Sequence, residues 1–179
     1  MITRTGTALT GVVRKMLARQ MDVEGERVGL CRPGENAGFQ VCIYLYDIQK
    51  NQELFSGDMT AEGTTELRYP STYYDLYYMI VPWMDSDLKY RQEEETKLLD
   101  VLIQFLSDVY VLDIGEEVPL ALCDLDFDDR SRLWTGIGQP MRTAVYVKAG
   151  PVEIRSMRTK KVSRVKRVRM ELMQKGENE

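Results

Sequence analysis

Histidine is absent from the 179 residues. That gap removes Ser-His-Asp and Cys-His catalysis, His-ligated zinc and any imidazole-based pH switch. Cysteine is scarce: Cys31, Cys42 and Cys123, with no C-x-x-C spacing. An odd, scattered set argues against a disulfide framework. Cys42 lies in an apolar stretch and reads as a small buried hydrophobe. No apolar run approaches the roughly 20 residues a membrane span needs. The opening MITRTGTALTG lacks the apolar core and small-residue cleavage site of a secretory signal. The expectation is a soluble protein made in the cytoplasm. Nor is there an excess of positive charge; the formal net charge is −4, which does not suggest a general nucleic-acid binder.

Apolar residues make up 44% of the chain, enough for a folded protein with its own core. Leu9, Val13, Met16 and Leu17 recur at helical spacing and predict a helix over 7–20, with Thr7 as its cap. A polar loop follows, with one short strand before Pro33. FQVCIYLYDIQKN reads as a central strand, since both its faces are apolar or aromatic. Val41, Ile43, Leu45 and Asp47 share one face, and Cys42, Tyr44, Tyr46 and Ile48 the other. The stretch after it, as far as Ser71, reads as a long polar connection. A second strand runs up to Pro82, antiparallel to 40–49, with Leu76, Tyr78 and Ile80 on one face and Tyr77, Met79 and Val81 on the other. SDLKYRQEEETKLLDVLIQFLSDVYVL is the strongest helix, with a stripe of Leu98, Leu102, Phe105 and Val109 reinforced by Leu99 and Leu106. Glu93, Glu94 and Glu95 sit in its early turns, where the helix dipole favours them. EVPLAL predicts a short strand, and DDRSRLWTGIG a short helix ending near Gly136 or Gly138. MRTAVYVKAGPVEIRSM predicts a strand broken at Gly-Pro. The last stretch leans towards a strand that frays after 173.

Familiar catalytic motifs fail on inspection. GLCRPGEN has the two glycines of a phosphate loop, but Glu35 stands where the lysine belongs and would repel phosphate. DLDFDD gathers Asp124, Asp126, Asp128 and Asp129, yet Asp129 and Thr135 occupy the positions at which a calcium loop needs glycine and glutamate. Capping of a short helix is the commoner use of such residues. A metal-dependent Asp-x-Asp site at Asp124 and Asp126 is the competing reading. The carboxylates of the middle region form no selected acid–base pair.

Two clusters have the look of contact surfaces. Tyr73, Tyr74, Tyr77 and Tyr78 crowd one strand, where rings pack and hydroxyls seek polar partners. Arg155, Arg158, Lys160, Lys161, Arg164, Lys166, Arg167 and Arg169 make a basic tail on an otherwise acidic chain. Such a tail binds nucleic acid or meets an acidic face of a neighbouring subunit. Interleaved aromatics, the mark of a stacking platform, are missing from it.

Four blocks in order carry a resemblance: VCIYLYDIQKN, YYDLYYMIVPW, EEETKLLDVLIQFLSD and LWTGIGQPMRTAVYVKAGPVEIRS. Together, over about residues 39–156, they resemble the tail-terminator, or cap, family of contractile injection systems of the antifeeding-prophage and virulence-cassette type. The resemblance implies an α+β fold, a mixed, mainly antiparallel sheet flanked by two or three helices; with the residue reading this gives one domain over 1–157, and a basic extension over 158–179 that lies outside the resemblance. It implies a structural protein without enzymatic activity or cofactor, assembled as a homohexameric ring. Such a ring stops the inner tube and anchors the last sheath ring, so tube and sheath proteins are the expected partners, nucleic acid and membrane are not, and the chain ends up in an assembled phage-tail-like particle. Part of the tyrosine cluster is then core and part interface. The alternatives are another phage-derived tail-completion or neck component, and a nucleic-acid-binding module using 155–169.

Overall fold

The computed structural model describes residues 1–21, 24–35, 38–54, 57–84 and 86–162. The chain divides into two compact units, one of Met1–Phe55 with Thr72–Ile154, the other of Ser56–Ser71 with Arg155–Glu179.

The first unit is built on a six-stranded sheet. Its strands are β1 (Val28–Leu30), β2 (Val41–Lys50), β5 (Thr72–Pro82), β6 (Val111–Asp113), β7 (Glu117–Leu122) and β8 (Val145–Ile154), in the order β1-β2-β5-β8-β7-β6. Only the β1–β2 pair is parallel; the other pairings are antiparallel. The three long strands, which carry alternating apolar and aromatic residues, lie side by side in the middle. There both faces are covered, as their two-sided apolar pattern requires.

Helices α1 (Ile2–Gln20) and α2 (Leu88–Asp108) supply the core on one face. Leu9, Val13, Met16 and Leu17 of α1 and Leu98, Leu102 and Leu106 of α2 pack with Val41, Ile43, Leu76, Tyr78, Ile80 and Val147. Helix α3 (Phe127–Ile137) covers the other face, where Trp134 and Ile137 join Cys42, Met79, Val81 and Tyr146. The Asp126 side chain accepts a hydrogen bond from Asp129 N–H, and Gly138 ends the helix in the left-handed region. Asp126 is thus a helix cap.

The second unit is a three-stranded antiparallel sheet in the order β3-β4-β9, from Thr60–Glu62, Glu66–Arg68 and Thr159–Lys161. The stretch expected to be a plain polar connection therefore folds as a hairpin. Three-residue, mostly charged strands give no alternation of their own; pairing with β9, about ninety residues later in the chain, defines them.

Five further expectations are corrected. The first helix begins at Ile2, five residues before Thr7, and Thr7 is an exposed position inside it. Threonine and glycine are weak helix formers, but burial of Thr5 and Gly6 outweighs propensity. The expected α2 stripe packs against the core, but the helix ends at Asp108, so Val109 lies just past its end. A bulge between Leu45 and Asp47 places Asp47 opposite Tyr77, so Asp47 leaves the Val41 face. Strand β8 continues through Gly150-Pro151, with the register shifting there opposite Tyr74 and Leu76. Finally, Cys31 and Cys42, expected to be unpaired, are brought together as a disulfide pair with Cα atoms 5.5 Å apart. Adjacent strands juxtapose them, which a sequence separation of 11 does not reveal.

Candidate functional site

The four tyrosines divide between the two faces of β5. Tyr74 and Tyr78 share the α1/α2 face with Leu76 and Ile80. Tyr78 is fully inside the core, and its hydroxyl has no partner among the described residues. Gly6 of α1 faces it closely: a Cβ there would lie 3.4 Å from the Tyr78 hydroxyl and 3.3 Å from Leu30. Burial pushes the Tyr78 phenol up to about 12. Tyr74 is half-buried against the same core.

Tyr73 and Tyr77 lie on the opposite face, both half-buried. The Tyr77 ring packs on Tyr46 at 6.2 Å, and Tyr46 meets Tyr146 edge-on at 6.0 Å. Burial, and then the neighbouring Cys123, raise the Tyr46 phenol above its usual range. Beside these rings lies a cavity of about 260 Å³ whose walls include Tyr46, Asp47, Tyr77, Cys123 and Asp124. The β2 bulge is what sets Tyr46 and Asp47 side by side along it.

Between the tyrosines sits a residue that the sequence reading passed over. Asp75 is buried, its Oδ2 bonded to Lys148 Nζ at 2.8 Å and to Asn51 Nδ2 at 3.2 Å. Gly150 permits the approach: a Cβ there would come 2.7 Å from Asp75 Oδ1 and 2.9 Å from its Cα. Its hydrogen bond to Asp75, the largest cause, raises the Lys148 ammonium above its ordinary value. The signal was an aspartate in the middle of an apolar strand, which needs a partner when buried.

The acidic helix is likewise partly committed. Glu95 Oε1 accepts from Arg142 Nη1 at 3.0 Å and from Met84 N–H at 3.4 Å, and the Arg142 guanidinium lies 4.0 Å over the Trp83 ring. Glu93 pairs with Lys97 one turn on, at 2.6 Å.

Of the basic tail, Arg155, Arg158, Lys160 and Lys161 are described; Arg164, Lys166, Arg167 and Arg169 lie outside the described residues, as does the expected fraying after 173. Within the second unit Arg158 stacks over Tyr69 at 4.3 Å, and Lys161 stands opposite Glu66 in the β4–β9 register. Arg68 donates to the Ser156 carbonyl at 2.6 Å and pairs with Glu62. The tyrosines belong to the first unit, and Arg155, Arg158, Lys160 and Lys161 to the second. Among the described residues, no helix is long and apolar enough to cross a membrane.

A mixed sheet sandwiched by helices, with aromatic residues packed on both of its faces and partly buried ion pairs, defines an α+β scaffold. The chain belongs to the family of the Pvc16 N-terminal domain, whose model matches residues 5–167. This bears out the resemblance read from the four sequence blocks. Among solved structures, the fold is similar to the sheath/tube terminator of the PVC extracellular contractile injection system in its extended state. The TM-score is 0.70 at 14% identity, over 98% of this chain and 64% of that one. It is also similar to the tube-terminating cap of the anti-feeding prophage, with a TM-score of 0.52 at 18% identity, over 73% of this chain and 48% of the cap. This chain therefore spans about two thirds or less of the length of these structural relatives. A comparison with curated proteins finds no match. The expected fold class, α+β with a mainly antiparallel sheet flanked by helices, is borne out.

Proposed function

We propose that the chain is the terminator domain of a contractile, phage-tail-like injection system. As a homohexameric ring it closes the distal end of the inner tube and anchors the last ring of sheath. It acts as a structural part, with no reaction of its own. The observation that carries this reading is the family match over 5–167, together with a fold that follows a sheath/tube terminator over 98% of the chain.

The geometry supports a role built on contact. Tyr73 and Tyr77 are half-buried in the isolated chain, and tyrosine is enriched where one subunit meets another. Tyr74 and Tyr78 contribute to the wall behind them. A ring contact is heterologous, so each subunit needs two different complementary surfaces. The basic segment, including Arg155, Arg158, Lys160 and Lys161 and continuing through Arg164, Lys166, Arg167 and Arg169, supplies charge for one of them. The strand over 143–156, considered for adding to a β-edge of the terminal sheath subunit, is already paired on both sides by β5 and β7; the part of the basic segment beyond β9 is the better suited to that role.

The test is to image particles produced with and without this chain. Tubes of set length, closed at one end, are expected with it; without it, tubes of variable length with bare ends. Normal tube length and capped ends in its absence would overturn the reading. Light scattering on the purified chain checks the ring, with a hexamer near six times the 20.7 kDa chain mass.

A further inference from the structure

We propose that the three-stranded sheet is continued from copy to copy, with the outer edge of β9 receiving the outer edge of β3 from a second copy of this chain. The inference rests on the ring assembly proposed above and names the contact that builds it.

Among the described residues, β3 and β9 are the two outer strands of the sheet, and every residue in both is exposed. Their backbone directions follow from the hydrogen bonds. Tyr69 N–H donates to the Arg158 carbonyl, and Val162 N–H donates to the Thr65 carbonyl. Residues 158, 160 and 162 therefore aim their backbone groups at β4. Direction alternates along a strand, so Thr159 and Lys161 aim theirs outward. On β4 the same alternation turns 65, 67 and 69 towards β9, and Glu66 and Arg68 towards β3. Their partners Glu62 and Thr60 are thereby engaged, and Ala61 is left with its N–H and carbonyl facing out.

These outward groups match in one arrangement. A parallel strand joins when the Ala61 N–H of the second copy donates to the Thr159 carbonyl, and the Lys161 N–H donates to the Ala61 carbonyl. That sets Ala61 beside Lys160, Thr60 beside Thr159 and Glu62 beside Lys161. Within one chain the cross-strand rows are already Ala61–Leu67–Lys160 and Glu62–Glu66–Lys161. The added strand continues each row on its own face. Strand direction agrees as well. β3 and β9 are each antiparallel to β4, so they run the same way. The rotation that closes a ring does not turn the sheet over, so the second copy's β3 arrives parallel to β9.

Charge selects the partner. The β3 side carries Asp58 and Glu62, and the β9 side Lys160 and Lys161. Head-to-tail addition places Lys161 between Glu66 of its own β4 and Glu62 of the next copy. A two-fold β9–β9 contact would set lysines against lysines, which is unfavourable between adjacent strands. The fitting occupant is a second copy in head-to-tail order.

Ala61→Pro removes the outward N–H of β3, and Lys161→Pro removes that of β9; neither N–H bonds within its own sheet. Each folded variant alone is expected to lose the wild-type oligomer in light scattering. A one-to-one mixture is expected to form a dimer and stop there, because one live β9 edge and one live β3 edge remain. Should proline prevent folding, amide exchange on the wild type gives a second reading: Ala61 and Lys161 are expected to slow about tenfold or more on assembly. The inference is overturned if either folded variant assembles like the wild type, or if both amides exchange fast in the ring. It is also overturned if Lys161 is already protected in the monomer, since the chain's own residues then cover that edge. In each of these cases a wild-type ring leaves the ring reading standing. A wild type that stays monomeric both in solution and on tube ends removes the ring and this contact together.

Discussion

Tyr78 shows how burial and chemistry diverge at one residue. Its ring fills the core, while its hydroxyl is buried without a partner among the described residues. Removing that oxygen deletes an unsatisfied group and little packing. Tyr78→Phe is therefore expected to leave stability unchanged or raise it by up to about 1 kcal/mol in urea unfolding. A loss above that range would mean the hydroxyl has a partner in solution. The same residue sets a pH dependence. Its folded pKa lies near 12 against an ordinary value of 10.0, so between those values the unfolded chain loses a proton that the folded chain keeps. Stability from this source is complete below about pH 10 and falls as pH rises towards 12. Lys148, also raised, acts in the same direction. The urea midpoint is expected to decline across that alkaline window, and Tyr78→Phe to lessen the decline. Gly150→Ala puts a Cβ against the backbone of Asp75 as well as its carboxylate. An overpacking loss of about 1–3 kcal/mol is expected by the same assay. A neutral result would show that β5 and β8 can part there without cost.

At the scale of elements, α2 owes its place to two kinds of contact. Leu98, Leu102 and Leu106 bury its apolar stripe against the sheet. Leu102→Ala is expected to cost about 2–5 kcal/mol, the range for a leucine truncated in a packed core. Glu95 fastens the approach to the helix through Arg142 and the Met84 amide. Both side chains of the ion pair are mostly buried, at 22% and 28% exposure, so solvent weakens the pair less than it does a surface bridge. A double-mutant cycle with Glu95→Gln and Arg142→Gln should give a coupling near 1 kcal/mol. Coupling near zero would mean that Arg142 is held by Trp83 alone. The two helices on one face and α3 on the other explain why the long strands read as apolar on both sides. The legible elements were the long ones. Strands over 41–50 and 72–82, and the helix over 88–108, announce themselves because ten or more residues repeat a period. The hairpin at 60–68 does not, because three charged residues per strand carry no period to read.

For the whole molecule, the charge asymmetry becomes a statement about assembly. Acidic and basic residues are segregated along the chain, and in the second unit they mark opposite edges of one sheet. Salt is expected to act on association more than on folding. Raising ionic strength should shift the oligomer towards monomer in light scattering while the unfolding midpoint moves little. An oligomer indifferent to salt would point to the tyrosine face as the dominant contact. Deleting 158–179 removes β9 and is expected to abolish sheath binding in a pull-down; unchanged binding would end the tail's role in it.

The sequence by itself determined the core. Periodicity along single elements fixes which residues turn inward, and the order of four blocks was enough to point to the family. It also excluded histidine chemistry outright, since an absent residue needs no fold to interpret. Only the tertiary structure decided what depends on partners distant in sequence. It set Asp75 between Lys148 and Asn51, turned Asp47 to the other face through a bulge, and brought Cys31 to Cys42. It also made two outer strands of Thr60–Glu62 and Thr159–Lys161. The physical reason is the range of the interaction: a repeat of hydrophobic burial is written along one element, whereas an ion pair, a bulge or a sheet edge exists only once two elements have met.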